Sequence, residues 1–222
     1  MKNLVLVIVP FIDNVDITIQ CIESLLNAMH SGDSLLLIDN GSKPGNFNNI
    51  DTYVYSSKKK YMEVIHNRTE HYTLPGVWNF GLDLFEASGD NRICFIHNDC
   101  VADTHLLTEL RLAFDAEPDC GIAFPRQSRL DKVYNVYDVI YPQGYCFMLS
   151  LETLRKVGRF NPDFKIRPDT EYFKRAKNLG VKLVVAGRAN VTHVGGRTTT
   201  KMYSLSKYME MASKEVNLIF KK

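Results

Sequence analysis

The apolar run Ile93-Cys94-Phe95-Ile96 stops abruptly at His97-Asn98-Asp99. A carboxylate and an imidazole two residues apart, at the end of a buried strand, are groups able to hold a divalent cation. Two further polar clusters follow apolar runs in the same way. Pro10-Phe11-Ile12-Asp13 closes the run Leu4–Val9, and Asp39-Asn40-Gly41-Ser42 closes Leu35–Ile38. Taken singly, Asp39 and Asp99 also suit ordinary turns. Taken together they say more. Parallel neighbouring strands would bring all three clusters to one sheet edge, where open α/β sheets bind ligands. A nucleotide is one such ligand. No Gly-x-Gly-x-x-Gly or Gly-Lys-Ser/Thr loop follows the first strand, which argues against a redox dinucleotide or an ATPase-type site. A diphosphate bound here would bring a divalent ion, with Asp99 as its hard oxygen ligand.

The elements that must position these groups are readable from periodicity. Leu4–Val9 and Leu35–Ile38 are continuous apolar runs, as in strands buried on both faces. Between them Ile19, Ile22, Leu25, Leu26 and Met29 share a helical face, with Asp16 as the expected N-cap and Gly32 as the stop. Strand, helix, strand makes a right-handed βαβ unit. Residues 43–60 are rich in Asn, Ser and Lys and read as a loop, and Met62–Ile65 as a short strand. Pro75-Gly76 opens a helix to about Glu86, with Val77, Phe80, Leu84 and Phe85 inward and Gly89 as its end. Asp103 reads as the N-cap of a helix to Glu117.

From Cys120 the pattern becomes mixed. Strands are expected at Gly121–Phe124, Val133–Tyr141, Gly144–Leu149 and Val181–Ala186. Helices are expected at Leu151–Val157, Thr170–Leu179 and Tyr203–Phe220. The last carries a stripe of Leu205, Tyr208, Met209, Ala212, Val216 and Ile219. No linker separates the halves. One domain over 1–222 is expected: a nucleotide-binding subregion at 1–103, an acceptor and catalytic subregion at 104–200, and a C-terminal amphipathic helix at 201–222.

Composition excludes several classes. The chain has 222 residues, 45% hydrophobic and 23% charged, with a net charge of +2. That balance gives no electrostatic case for nucleic acid. The run Lys58-Lys59-Lys60 reads as a solvated loop. Five cysteines without a Cys-x-x-Cys pair read as small core residues in a reducing compartment. No leader is expected, because the first apolar run spans only about six residues. No stretch is long enough to span a bilayer. The expected location is cytoplasmic, with the inner face of a membrane as the alternative.

Seven segments in order resemble those of the family 2 glycosyltransferases of GT-A fold. They are Val7–Phe11, Leu37–Ser42, Gly76-Val77-Trp78-Asn79-Phe80-Gly81, Phe95–Asp99, Gly144–Leu149 continuing through Lys156–Phe160, Pro168-Asp169-Thr170-Glu171, and Thr192–Thr199. The resemblance covers Leu4 to about Thr200. It implies a Rossmann-like, mostly parallel central sheet flanked by helices, a smaller mixed acceptor-side sheet and a C-terminal helix. It also implies transfer of a sugar from a nucleoside-diphosphate sugar, UDP-sugar favoured, to an acceptor hydroxyl with inversion. Asp169 would be the general base. Pro10, Phe11, Asp13, Asp39, Asn79, Asn98 and Asp99 would face the nucleotide. Asp99, His193 and His97 would hold the metal, Mn2+ favoured over Mg2+, since imidazole suits Mn2+ better.

Two positions depart from the family's pattern. His97 stands where the metal motif often begins with an acid or Asn. Pro168 replaces the acid that usually precedes the catalytic Asp, which removes one source of an upward pKa shift at Asp169. Simpler roles also stand: Asp169 as a helix cap, His193 as a hydrogen-bonded loop residue, and Trp78 as packing rather than a stacking surface for acceptor. Acceptors consistent with the resemblance are a glycan, a lipid-linked sugar or another hydroxyl. A nucleotidyltransferase and a non-catalytic sugar-nucleotide or glycan-binding module are the rival readings. The lysine-bearing last helix packs on the domain or on a partner subunit, or else touches anionic lipid peripherally.

Overall fold

Long apolar runs need cover on both faces, and the sheet supplies it. The structure is a computed structural model and describes residues 4–57, 67–68, 73–88, 90–126, 136–138, 142–195 and 204–220. Its strands are β1 Val5–Phe11, β2 Ser34–Asp39, β3 Asn67–Arg68, β4 Arg92–Ile96 and β5 Cys100–Ala102. They continue with β6 Cys120–Pro125, β7 Val136–Asp138, β8 Cys146–Ser150, β9 Lys182–Ala186 and β10 Val191–His193. The helices are α1 Val15–Ala28, α2 Pro44–Ser57, α3 Leu74–Ser88, α4 Leu106–Ala116, α5 Leu151–Val157, α6 Pro168–Asn178 and α7 Leu205–Phe220.

Eight strands form one sheet in the order β3-β2-β1-β4-β8-β6-β9-β7. β1 is parallel to β2 and β4, so the turns after these three strands share one edge. β8 runs antiparallel to β4 and to β6, while β6 and β9 are parallel and β7 closes the edge antiparallel. Strands β6 to β9 thus continue the main sheet. The smaller second sheet is an antiparallel ribbon of β5 and β10.

Alternate residues of β1 feed two cores. Val5, Val7, Val9 and Phe11 pack with α1, α2 and α4, whereas Leu6 and Ile8 pack with α3, α5 and α6. That two-sided burial explains why these strands read as continuous apolar runs. All five cysteines are buried thiols with no disulfide among them. No helix among the described residues is long and apolar enough to cross a membrane.

Several sequence expectations change. Most of 43–60, expected as a loop, is helix α2, whose Ile50 is buried and whose Tyr53 and Val54 pack on the same core. Asn14, with a left-handed φ of 52°, precedes α1, and Asp16 sits inside the first turn. A carboxylate there still suits the positive end of the helix dipole. Asp103 lies two residues ahead of the residue flanking α4 and accepts the His105 amide at 2.9 Å, a turn rather than the expected cap. In α7 the buried side chains are Ala212, Glu215 and Ile219, while Leu205 and Met209 stand 78% and 60% exposed. Met62–Ile65, Gly89, Lys58–Lys60 and most of Val133–Tyr141 lie outside the described residues.

Candidate active site

The first wall of the site is built by the turns after β1 and β2. The Asn40 amide donates to the Phe11 carbonyl at 2.8 Å, tying one strand end to the other. Asp39 is 1% exposed, and its Oδ1 accepts the Ser42 amide at 2.8 Å. Ser42 Oγ accepts the Asp13 amide at 2.7 Å, and Asp13 Oδ1 accepts Lys43 N at 3.0 Å and Asn46 Nδ2 at 2.7 Å, at the start of α2. Asp13 and Asn14 both have positive φ, 50° and 52°. Asp and Asn tolerate that region better than other side-chain-bearing residues, which is why this turn works without glycine. Pro10 and Phe11 are the last residues of β1, and the Phe11 ring belongs to the core.

The second group gathers where β4 leaves the sheet. The β5–β10 pairing sets His193 opposite Cys100 and so brings its ring to Asp99. His193 Nε2 lies 3.2 Å from Asp99 Oδ1. One ligand atom each from His97, Asp99 and His193 fall within 4.8 Å of one another. The His97 ring stacks on Trp78 at 6.1 Å and is half-buried, and its Nε2, shut off from solvent, has no hydrogen-bond partner among the described residues. Burial holds the His97 imidazolium form down, to a pKa of about 4. Burial pushes the Asp99 carboxyl up, but the imidazoles of His193 and His97 outweigh it, and the net shift is downward. An anionic oxygen and a neutral nitrogen awaiting a partner are a donor set that fits a divalent cation such as Mn2+.

The third group is Asp169, at the start of α6. Its Oδ2 accepts the Gly144 amide at 3.1 Å. Burial raises its pKa, against the pull of backbone amides and Arg167. The upward push that an acid at Pro168 would have supplied therefore comes from desolvation instead. The dipeptide Gly144-Tyr145 joins this carboxylate to the second group. The Tyr145 carbonyl accepts the His97 amide at 2.9 Å, and the Tyr145 ring stacks on His193 at 4.7 Å. His97, His193 and Asp169 therefore all contact the same two residues.

Two of the expected residues turn inward, and Trp78 packs as expected. Asn79 exchanges two hydrogen bonds of 2.9 Å with the backbone of Phe160, and Asn98 Nδ2 donates to Thr18 Oγ1 at 2.9 Å. Trp78 is 1% exposed among Phe95, Phe147 and Phe160, which is packing. Gly144 and Tyr145 were not singled out from the sequence as site residues. A glycine and an aromatic directly ahead of an apolar strand were the available signal.

The sequence profile described as glycosyl transferase family 2 matches residues 6–181. The chain belongs to that family. No curated protein sequence matches the chain. Among solved structures, the same fold recurs at low identity. The chain is similar to a mannosyltransferase from Pyrobaculum calidifontis in complex with GDP-Man and Mn2+, at 14% identity and a TM-score of 0.67, covering 89% of this chain and 59% of that one. It is also similar to GalNAc-T7 with UDP, GalNAc and Mn2+, at 14% identity and a TM-score of 0.71, covering 94% and 47%. S. aureus TarS gives 13% and 0.64 over 82% and 57%. The chain thus spans about half to three-fifths of the length of these GT-A glycosyltransferases.

Proposed function

We propose that this family 2 chain transfers a sugar from a nucleoside-diphosphate sugar to an acceptor hydroxyl, with inversion at the anomeric carbon. The observation that carries the reading is the convergence of Asp169 and of His97 and His193, which cluster with Asp99, on Gly144-Tyr145. The nucleotides named for the structural neighbours are GDP and UDP, and a UDP-sugar is our first choice of donor.

The turns at Asp13 and Asp39 form the wall for the nucleoside. His97, Asp99 and His193 would hold a divalent ion, with Mn2+ preferred over Mg2+ because two of three ligands are imidazoles. Such an ion, when bound, offsets the charge that grows on a departing diphosphate. The acceptor oxygen attacks the anomeric carbon as the bond from that carbon to the diphosphate oxygen breaks. Asp169 accepts the hydroxyl proton on its carboxylate. A raised pKa makes it a stronger base than an ordinary aspartate, and the Gly144 amide fixes which oxygen is turned away. One displacement at one carbon inverts its configuration. The acceptor is a glycan, a lipid-linked sugar or another hydroxyl compound. A peripheral membrane contact or a homodimer would use the exposed Leu205, Met209, Leu218 and Phe220 of α7.

The test is a thermal-shift panel of UDP, GDP and their sugars with and without Mn2+, followed by assay of nucleoside-diphosphate release. Stabilisation by one nucleotide only with Mn2+, and release lost in Asp169→Asn while nucleotide binding persists, is the expected pattern. Wild-type release by Asp169→Asn would remove the base from the mechanism.

A further inference from the structure

The start of α6 is held from the far end of the chain. Arg167, which flanks the helix, provides no side-chain cap, and Pro168 has no amide hydrogen. Instead three consecutive amides converge on the carboxylate of Glu215 in α7. Lys165 N donates to Oε1 at 2.9 Å, Ile166 N to Oε1 and Oε2 at 3.2 and 3.1 Å, and Arg167 N to Oε2 at 2.8 Å. Glu215 is 6% exposed. A buried carboxylate is costly unless its oxygens are satisfied, and here both are. Its charge also suits the positive end of α6.

A second, independent tether joins the two helices. The Lys174 ammonium donates to the Ile219 carbonyl and lies 4.6 Å from the centre of the Phe220 ring. Docking of α7 on α6 already has this contact and the buried Ala212 and Ile219. Glu215 acts elsewhere, on the backbone that turns into the helix two residues before Asp169. Arg167 is the charge that faces Asp169, and Glu171 and Arg175, one turn on, pair with each other at 2.8 Å. The match to family 2 ends at residue 181, so α7 lies outside the matched segment.

We infer that Glu215 is a positioning residue for Asp169, its carboxylate fixing the 165–167 backbone so that α6 presents Asp169 to the Gly144 amide. The inference takes Asp169 as the general base, as proposed above. In this arrangement α7 is part of the catalytic apparatus and not only cover for the domain.

The experiment compares Glu215→Ala and Glu215→Gln with Lys174→Met in the full chain. Lys174→Met removes the second tether and leaves the three amides alone. Hydrogen exchange over 165–169 is expected to rise about tenfold or more in Glu215→Ala and to stay at the wild-type level in Lys174→Met. The Asp169 carboxyl is followed by carbon NMR titration, assigned by its loss in Asp169→Asn. It is expected to move down towards the ordinary aspartate value in Glu215→Ala only, because a loosened backbone readmits water. On the donor selected by the panel, kcat falls about tenfold while KM changes less than about twofold, and Glu215→Gln, which keeps one oxygen acceptor, recovers part of the loss.

Wild-type exchange and titration in Glu215→Ala overturn the inference. Equal changes in Glu215→Ala and Lys174→Met overturn it too, because general docking of α7 would then be responsible. Should Glu215→Ala fail to fold, Glu215→Gln carries the same comparison. Turnover retained by Asp169→Asn defeats the base assignment without altering the exchange result, so the two failures are distinguishable.

Discussion

The Gly144 amide donates to Asp169 Oδ2 at 3.1 Å, and a methyl group added at 144 would lie 2.4 Å from that same oxygen. The contact is possible only because residue 144 has no side chain. Gly144→Ala must therefore push Asp169 aside. Overpacking of this kind costs about 1–3 kcal/mol of stability. Displacing a reacting group by about an ångström costs on the order of 100-fold in rate. We expect a modest drop in Tm, a large drop in kcat and nearly unchanged nucleotide affinity. Wild-type kcat in Gly144→Ala would show that Asp169 does not need this seat.

Asp169 also makes a prediction about stability and pH. Burial raises its pKa in the fold above the unfolded value of about 3.9. The folded state then binds the proton more tightly, so this group favours folding below about pH 3.9, and that help is lost as pH rises through the folded pKa. Asparagine cannot ionise. Asp169→Asn should gain Tm over wild type at neutral pH and lose that advantage in acid, as scanning calorimetry at several pH values would report. An advantage that instead grows in acid contradicts the burial argument.

Removing a donor of the proposed metal site should weaken Mn2+ binding without unfolding the chain. Asp99→Asn takes away the one anionic group of that proposed site, and His193→Ala takes away a ring supplied by the ribbon. Each should lower affinity about tenfold or more, measured by calorimetric titration of Mn2+. Because His97 stays neutral down to about pH 4, its nitrogen remains available in mild acid. An Asp99→Asn chain that binds Mn2+ as tightly as wild type would mean the ion sits elsewhere.

A structural pin lies away from the site. Arg111 donates to both Asp33 oxygens, at 2.5 and 2.6 Å, and Asp33 also accepts the amides of Val5 at 3.2 Å and His30 at 2.8 Å. Both side chains are buried. Arg111→Met leaves Asp33 as a buried charge with its main partner gone, and should cost about 3–5 kcal/mol in denaturant unfolding. The double variant Asp33→Asn with Arg111→Met should cost less than the two single losses added together.

Much of the architecture was legible because it is local. Continuous apolar runs marked β1, β2 and β4, and their shared direction put the turns at Asp13, Asp39 and Asp99 on one edge. Ser150 and Gly158 bracket α5, and its expected bounds match. The misreading of α2 has a physical cause: a polar surface helix is hidden by Asn and Ser, although Phe47, Ile50 and Val54 keep helical spacing behind Pro44. Other features are not local at all. β5 and β10 are three residues each and exist only because each meets the other. Glu215 sits in a lysine-bearing amphipathic tail, and nothing in its neighbours announces that it is buried against 165–167. The inward turn of Asn79 and Asn98 likewise depends on partners about 80 residues away.

Because β8 opposes β4, one strand enters the sheet at the height where the other departs, and the His97–Tyr145 bond closes that junction. The interval between His97 and Gly144-Tyr145 is therefore gauged by two paired strands lying about 4.8 Å apart, rather than by the slack of a loop. Warming or a change of solvent that loosens the surrounding turns should leave that gauge untouched until the sheet itself melts.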